Sequence, residues 1–348
     1  MHPIRISFVA AAAACSTACG AAPPPDPLPA HLARVPIDAE SVGQIDVAKV
    51  IDIEEVDAWI GRMAGALGRP ADPCLLDAVR RTTHVTVADF RTASGRSSEE
   101  GAIVAGDLRA RDLGTCLAAA IPWATEAGPM TVSGDGRRVT LGDPDAPLAF
   151  ADLPDGPGVV VGSEEGVEML LADRPPEASF AAQPLLGRLR SLTGGGDFEI
   201  FLAPRHGEGL FDLPLAGAGL ALRRGAPDRY TAILLAASAV EARMLSMGVG
   251  AMIGLVAERA ADMVAGLDEG GEDPAPAWLL ESAPKLRAVA VAAAAAAVEA
   301  EGDAVRVTIE LDPAAVSPTS FIGLAGAWLW AGTARRGVPE PPGNPVIP

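Results

Sequence analysis

The stretch MTVSGDGRRVTLGD, residues 130–143, is two short β-rich runs joined at Gly134-Asp135-Gly136. Gly and Asp tolerate the left-handed backbone of tight hairpin turns, so the stretch predicts two antiparallel strands. VEAEGDAVRVTIELD (298–312) repeats the arrangement, turning at Gly302-Asp303. Hairpins pair strands that are neighbours in sequence, whereas parallel partners need a crossover of a dozen or more residues. The remaining β-rich runs follow the same habit. HVTVADF (84–90) precedes AIVAGDL (102–108) across the polar loop TASGRSSEEG, PLAFADL (147–153) precedes GVVVGS (158–163), and LAGAGLALRRG (215–225) precedes RYTAILLAAS (229–238). SVGQIDV (41–47) and FEIFLAP (198–204) are further strand candidates.

Between these runs lie amphipathic helices. Asp52 is placed to cap one, with Glu55 three residues on completing a capping box. Ile53, Val56, Ile60, Met63 and Leu67 then form one apolar stripe, and Gly68 and Pro70 end it. In ADPCLLDAVRR, Asp72 is the expected N-cap and Pro73 the first helical residue. In ARDLGTCLAAAI, Leu113, Cys116, Leu117, Ala120 and Ile121 share a face. Ser163 caps a helix over SEEGVEMLLA. Hairpins interleaved with such helices predict an α+β fold, antiparallel sheet with packed amphipathic helices. FEIFLAP parallels HVTVADF, and the 298–312 hairpin parallels the 130–143 one, which suggests two diverged repeats. The organisation read from this is a signal peptide over 1–18, a Pro/Ala-rich tether over 19–34, α+β halves over 35–190 and 191–332, and a disordered Pro-rich tail over 333–348.

The first residues carry an address. Arg5 gives a positive start, and Phe8, Val9 and Ala10 to Ala14 form an apolar run well short of the roughly 20 residues a bilayer span needs. Ser16, Thr17 and Ala18 then lead into Cys19. This stretch resembles the lipobox of bacterial lipoproteins, with Ser16 standing where Leu is commonest; Cys15 is a second, similarly imperfect candidate. The resemblance covers about residues 1–20 and implies cleavage before Cys19, lipid attachment to its thiol, and a place in the cell envelope, on the periplasmic or surface side of a membrane. GAAPPPDPLPA, directly after Cys19, suits an extended tether. An ordinary secretory signal without lipid is the plainer alternative.

Export implies an oxidising compartment, in which Cys74 and Cys116 are expected to pair. Two buried free thiols acting as small hydrophobes are the alternative.

A net charge of −18 over 348 residues argues against nucleic acid, whose phosphates select clustered basic side chains. The expected partners are a membrane, through the N-terminal lipid, and a protein or hydrophobic ligand of unknown identity. No cofactor or metal is expected. His31, His84 and His206 lack the spacing to Cys, Asp or Glu that a zinc site shows, and neither a phosphate-binding loop nor a nucleophile elbow occurs. The most enzyme-like fragment is PRHGEG (204–209), where His206 beside Glu208 would have to serve as a hydrolase's general base. Asp143 and Asp145 in GDPDAP fall short of the six oxygens calcium takes, and TGGGD (193–197) precedes a strand rather than a helix.

These readings predict a non-enzymatic envelope lipoprotein that binds or scaffolds something outside the cytoplasm. MLSMGVGAMIGLVA (244–257), uncharged and rich in Met and Gly, predicts a central core helix. Its fourteen or so apolar positions are too few to span a bilayer; the second reading is a wall of a cavity for a lipid or other hydrophobic ligand, and the third is direct membrane contact.

Overall fold

The computed structural model describes residues 30–66, 73–91, 98–120, 129–143, 147–203, 209–210, 213–268 and 277–320. Antiparallel hairpins assemble into one continuous sheet. Its strands are β1 (Ser41–Asp46), β2 (Thr82–Arg91), β3 (Ser98–Gly106), β4 (Thr131–Val132), β5 (Arg138–Leu141), β6 (Leu148–Asp152), β7 (Gly158–Gly162), β8 (Phe198–Leu202), β9 (Gly209–Leu210), β10 (Leu213–Arg223), β11 (Asp228–Ala236), β12 (Ala297–Glu301) and β13 (Ala304–Leu311). The order across it is β12-β13-β11-β10-β8-β1-β2-β3-β7-β6-β5-β4, with β9 paired to β10 off this path. Every pairing is antiparallel, including the β1–β8 seam where the two halves of the sequence meet. The fold is therefore α+β, as the hairpin pattern predicts.

The helices are α1 (Val47–Val50), α2 (Ile53–Ala66), α3 (Pro73–Arg81), α4 (Ala110–Ala120), α5 (Glu164–Leu171), α6 (Pro184–Thr193), α7 (Ala239–Asp268) and α8 (Ala277–Ala294). Ser163 caps α5 by accepting the Gly166 N–H at 3.0 Å, and Gly194, at φ +82°, ends α6. At α2 the Asp52 carboxylate accepts the N–H groups of Glu54 and Glu55 at 2.9 and 3.2 Å. The reciprocal half of the capping box is absent. The Asp52 N–H donates instead to Thr319 Oγ1 at 2.7 Å, while the Glu55 carboxylate accepts from Ser317, from Lys285 Nζ at 3.2 Å and from Ser320 at 3.0 Å. A local helix-start signal is thus used to hold the far end of the chain. Burial of Glu55 works against its charge, but these donors outweigh it and hold the carboxyl below its ordinary range.

On one face of the sheet Val42, Ala88, Phe90, Ile103, Phe201 and Ile233 pack under α5, α6 and the 3-10 turn Ala30–Arg34, against Leu32, Leu170, Leu186 and Leu189. Each fully buried Val, Ile, Leu or Phe among these contributes about 1.5–3 kcal/mol of transfer free energy. The opposite face is covered in two places. At one end α4 lies over Val139, Phe150 and Val159; at the other, α7 and α8 lie over Phe198, Tyr230, Val305 and Val307. The poly-alanine run splits accordingly, helical to Ala294 and strand from Ala297.

Candidate functional site

Cys74 and Cys116 form a disulfide with their Cα atoms 5.7 Å apart, inside the range such bridges require. It joins the first turn of α3 to the middle of α4, where Cys116 is buried.

The helix read from the sequence as a core element departs from that expectation. α7 runs 30 residues, and among its described side chains the buried ones are Ala242, Leu245, Val249, Ala257 and Val264, spaced by three, four, eight and seven residues. Ala242, Leu245 and Val249 pack on the strands β11 and β13, while Ala257 and Val264 lie towards α8. Sequence could not separate the cases, because Met and Gly all round a helix are compatible with a core position and with an open one. The rest of its apolar surface faces solvent, with Val240 at 67%, Met247 at 70% and Leu255 at 49% relative exposure. The window Ala239–Asp262, with a mean hydropathy of 1.4, is long and apolar enough to cross a membrane by length and composition, yet only 17% of it is buried. Large exposed apolar patches on soluble folds mark places where something else binds.

α8 packs alongside α7, leaving a groove of about 540 Å³. Its walls are Gly254, Ala257, Ala261 and Val264 on α7, and Ala290 and Val291 on α8; Glu258 and Arg287 stand at its rim. Small side chains keep the two helices from filling the space between them. Such a groove holds alkyl or aromatic matter and offers few polar contacts to fix a polar ligand.

On the opposite face of the sheet, register builds a second cavity, of about 340 Å³. Gln44 on β1 lies between Thr86 on β2 and Glu199 on β8. One step towards the sheet end, Asp46 pairs with His84, their Oδ2 and Nε2 atoms 3.8 Å apart. His31, from the 3-10 turn, sits 6.1 Å from His84 between ring centres, and Arg190 descends from α6 to bond Glu199 at 3.0 Å with both side chains buried. Lys49 bridges Asp46 and Asp197 at 3.3 and 3.0 Å. Burial, and secondarily the neighbouring His84, push the His31 imidazole down to about 4, so it is neutral at neutral pH. Among the described residues, two buried polar atoms on the cavity's lining lack a protein partner, Gln44 Nε2 and His31 Nε2, as does Thr86 Oγ1 beside Gln44. An unmet buried donor costs about 1–3 kcal/mol.

His31 and His84 are 53 positions apart in sequence, and they meet only because the 3-10 turn Ala30–Arg34 is set beside β2. Among the described residues no group of three or more His, Cys, Asp or Glu is arranged to hold a metal ion. TGGGD forms the end of α6 and the entry to β8. Cys15, Cys19, Asp145, His206, Glu208 and the tail 333–348 lie outside the described residues.

What fold and sites define is an α+β protein with an open apolar helix pair on one face of its sheet and a polar cavity on the other. No protein-family model matches the chain, and no curated protein matches it. Two solved structures are similar to it, crystal forms III and I of TP0453. The first covers 83% of this chain and 97% of its own at 16% identity and a TM-score of 0.41. The second covers 86% and 98% at 16% identity and a TM-score of 0.42.

Proposed function

We propose that the chain is an exported protein of a bacterial cell envelope, held to a membrane by lipid on Cys19, with a non-catalytic role in binding apolar partners through α7. The observation that carries the binding role is the open apolar side of α7 around Met244, Met247 and Leu255. The Cys74–Cys116 bridge supports an oxidising compartment. The lipobox-like start supports the anchor. Two measurements test the reading. In the native host, Cys19→Ala is expected to leave the membrane fraction, and its quantitative retention there would end the anchor proposal. In vitro, the neutral probe N-phenyl-1-naphthylamine is expected to light up on the purified chain, at least fivefold less on Met247→Glu/Leu255→Glu. Equal fluorescence in both would remove α7 from the account.

The groove between α7 and α8 favours a second reading, a carrier of a lipid or another hydrophobic ligand. Native mass spectrometry of the protein from host membranes distinguishes the two. A carrier retains a lipid adduct that Ala261→Trp, which fills the groove, expels. Ligand-free protein throughout, even after lipid feeding, leaves only the open-face reading.

A further inference from the structure

The polar cavity on the face opposite α7 is a built site. Gln44 on β1 and Glu199 on β8, paired across the strands and each more than nine-tenths buried, line it, and the buried Thr86 lies beside Gln44 on β2. Gln44 lines the cavity, and its Nε2 has no partner. Apolar residues lie one step deeper on the same face, at Val42, Ala88 and Phe201, so the polar row is a sharp change of lining rather than a stretch of wet surface. Polar side chains are normally bonded when buried, and two unbonded nitrogens on one lining, Gln44 Nε2 and His31 Nε2, are the arrangement a polar ligand completes.

The charges narrow the ligand. Lys49 and Arg190 stand against Asp46, Asp197 and Glu199, leaving one negative charge in excess while His31 is neutral. An apolar molecule would strand Gln44 and His31. A simple anion would meet three carboxylates. A neutral sugar would leave the excess charge uncompensated, and the described lining contains no Phe, Tyr or Trp on which a sugar ring stacks. The remaining class carries both signs, with the positive group exposed enough to reach a carboxylate and the negative one able to accept from an amide N–H. We infer that this cavity binds a small zwitterionic molecule of the amino-acid class, its ammonium beside Asp46 and Glu199 and its carboxylate on Gln44 Nε2. The volume of about 340 Å³ falls at the small end of the range for ligand pockets.

The site is independent of the α7 surface, since Glu199 and Phe201 lie on one face of β8 while Phe198 and Ile200 lie on the face under α8. Its failure therefore leaves the apolar reading untouched, and the reverse holds. The experiment is a thermal-shift screen of the full purified chain against the common L-amino acids, followed by calorimetric titration. Simple amines, acetate, glucose and phosphate complete the panel as single-sign or neutral controls. At least one amino acid is expected to raise the melting temperature and bind, and Gln44→Leu, of similar volume, is expected to weaken it at least tenfold. His31→Phe and Lys49→Ala, both on the cavity lining, give the same test should Gln44→Leu misfold. No response to any amino acid, with ordered water alone meeting the buried donors, would overturn the inference. So would binding by glucose or phosphate only, or amino-acid binding that all three substitutions leave unchanged.

Discussion

Replacing Cys74 and Cys116 together by alanine removes the bridge between α3 and α4 without burying a new hydroxyl at position 116. The bridge closes a loop of 42 residues in sequence separation, holding α3, β2, β3 and α4. In the chain-entropy treatment, a loop of that length removes about 13 cal/mol/K from the unfolded chain, or about 4 kcal/mol at 25 °C. The folded side changes less. β2 and β3 remain paired over Thr82 to Arg91, and α4 remains seated through Leu108, Leu113 and Leu117 against Val139 and Phe150. The cost should therefore appear as a lower denaturation midpoint at unchanged far-ultraviolet circular dichroism. Urea titrations of the oxidised wild type, the wild type under reductant and the double variant provide the comparison. The reduced wild type and the variant are expected to agree with each other and to fall about 3–4 kcal/mol below the oxidised protein, a drop of roughly 5–8 °C in melting temperature for a chain of this size. A loss under 1 kcal/mol, with non-reducing mass spectrometry confirming the bridge in the wild type, would refute the reasoning. It would mean that the unfolded 74–116 segment is already compact enough for the cross-link to remove little entropy.

Two further outcomes follow from individual groups. His31 titrates near 6.5 when unfolded and near 4 when folded, so between those values the unfolded chain binds more protons. Stability then rises with pH across that window and is lost as pH falls through it. The gap corresponds to about 3 kcal/mol at most, and about 1–2 kcal/mol once partial solvent screening is allowed. The groups facing the imidazole are His84, Lys49 and Arg190 on one side of the balance and Asp46, Asp197 and Glu199 on the other. Urea midpoints at pH 7.5 and pH 4.5 are expected to differ more for the wild type than for His31→Phe by that amount, and equal differences would show the imidazole to be uninvolved. Among the glycines, Gly162→Ala places a Cβ 2.6 Å from the Glu100 carbonyl oxygen and 3.1 Å from Gly101 Cα, backbone atoms of β3 that cannot step aside. A loss of about 1–3 kcal/mol is expected there. Gly187→Ala, on the exposed side of α6 with nothing within 4 Å, is expected to stabilise by up to about 1 kcal/mol; the reverse order of the two midpoints would contradict both assignments.

The strands were legible because their information is local. Gly302, at φ +59°, and Asp303 turn β12 into β13 as the pattern predicts, and Pro73 opens α3 where proline is cheapest. Partners beyond the next hairpin were not legible. Nothing near Ser41–Asp46 says that β1 will pair with β8, more than 150 positions away, because the alternation of a strand fixes which side chains share a face but not which strand lies beside it. Glu55 shows the same limit at one residue. Its spacing from Asp52 is that of a capping box, and the side chain is drawn away by Ser317, Ser320 and Lys285, whose proximity depends on how the whole sheet closes.

The two candidate sites failed to show in the sequence for different physical reasons. α7 was visible as a helix and as an apolar one; what was missing was how much of it the sheet covers. A sheet buries one stripe of a helix laid across it, and here that is the Ala242–Leu245–Val249 line, so a helix apolar on all sides must leave the remainder open unless another layer is added. α8 supplies part of that layer, but the apolar residues it turns to the groove, Ala290, Val291 and Ala294, are too small to close the gap. The polar cavity is the converse case. Gln44, Thr86 and Glu199 are ordinary polar residues in alternating strands, and alone each reads as a solvent-facing position. They become a site because β8, β1 and β2 set them side by side while α6 and the 3-10 turn lower Arg190 and His31 over them. Composition carries no trace of this, since the residues are neither numerous nor clustered. A search for rows of polar residues at the same height on three strands would have found it, provided the β1–β8 pairing were known. The decisive information in this chain is therefore the central seam.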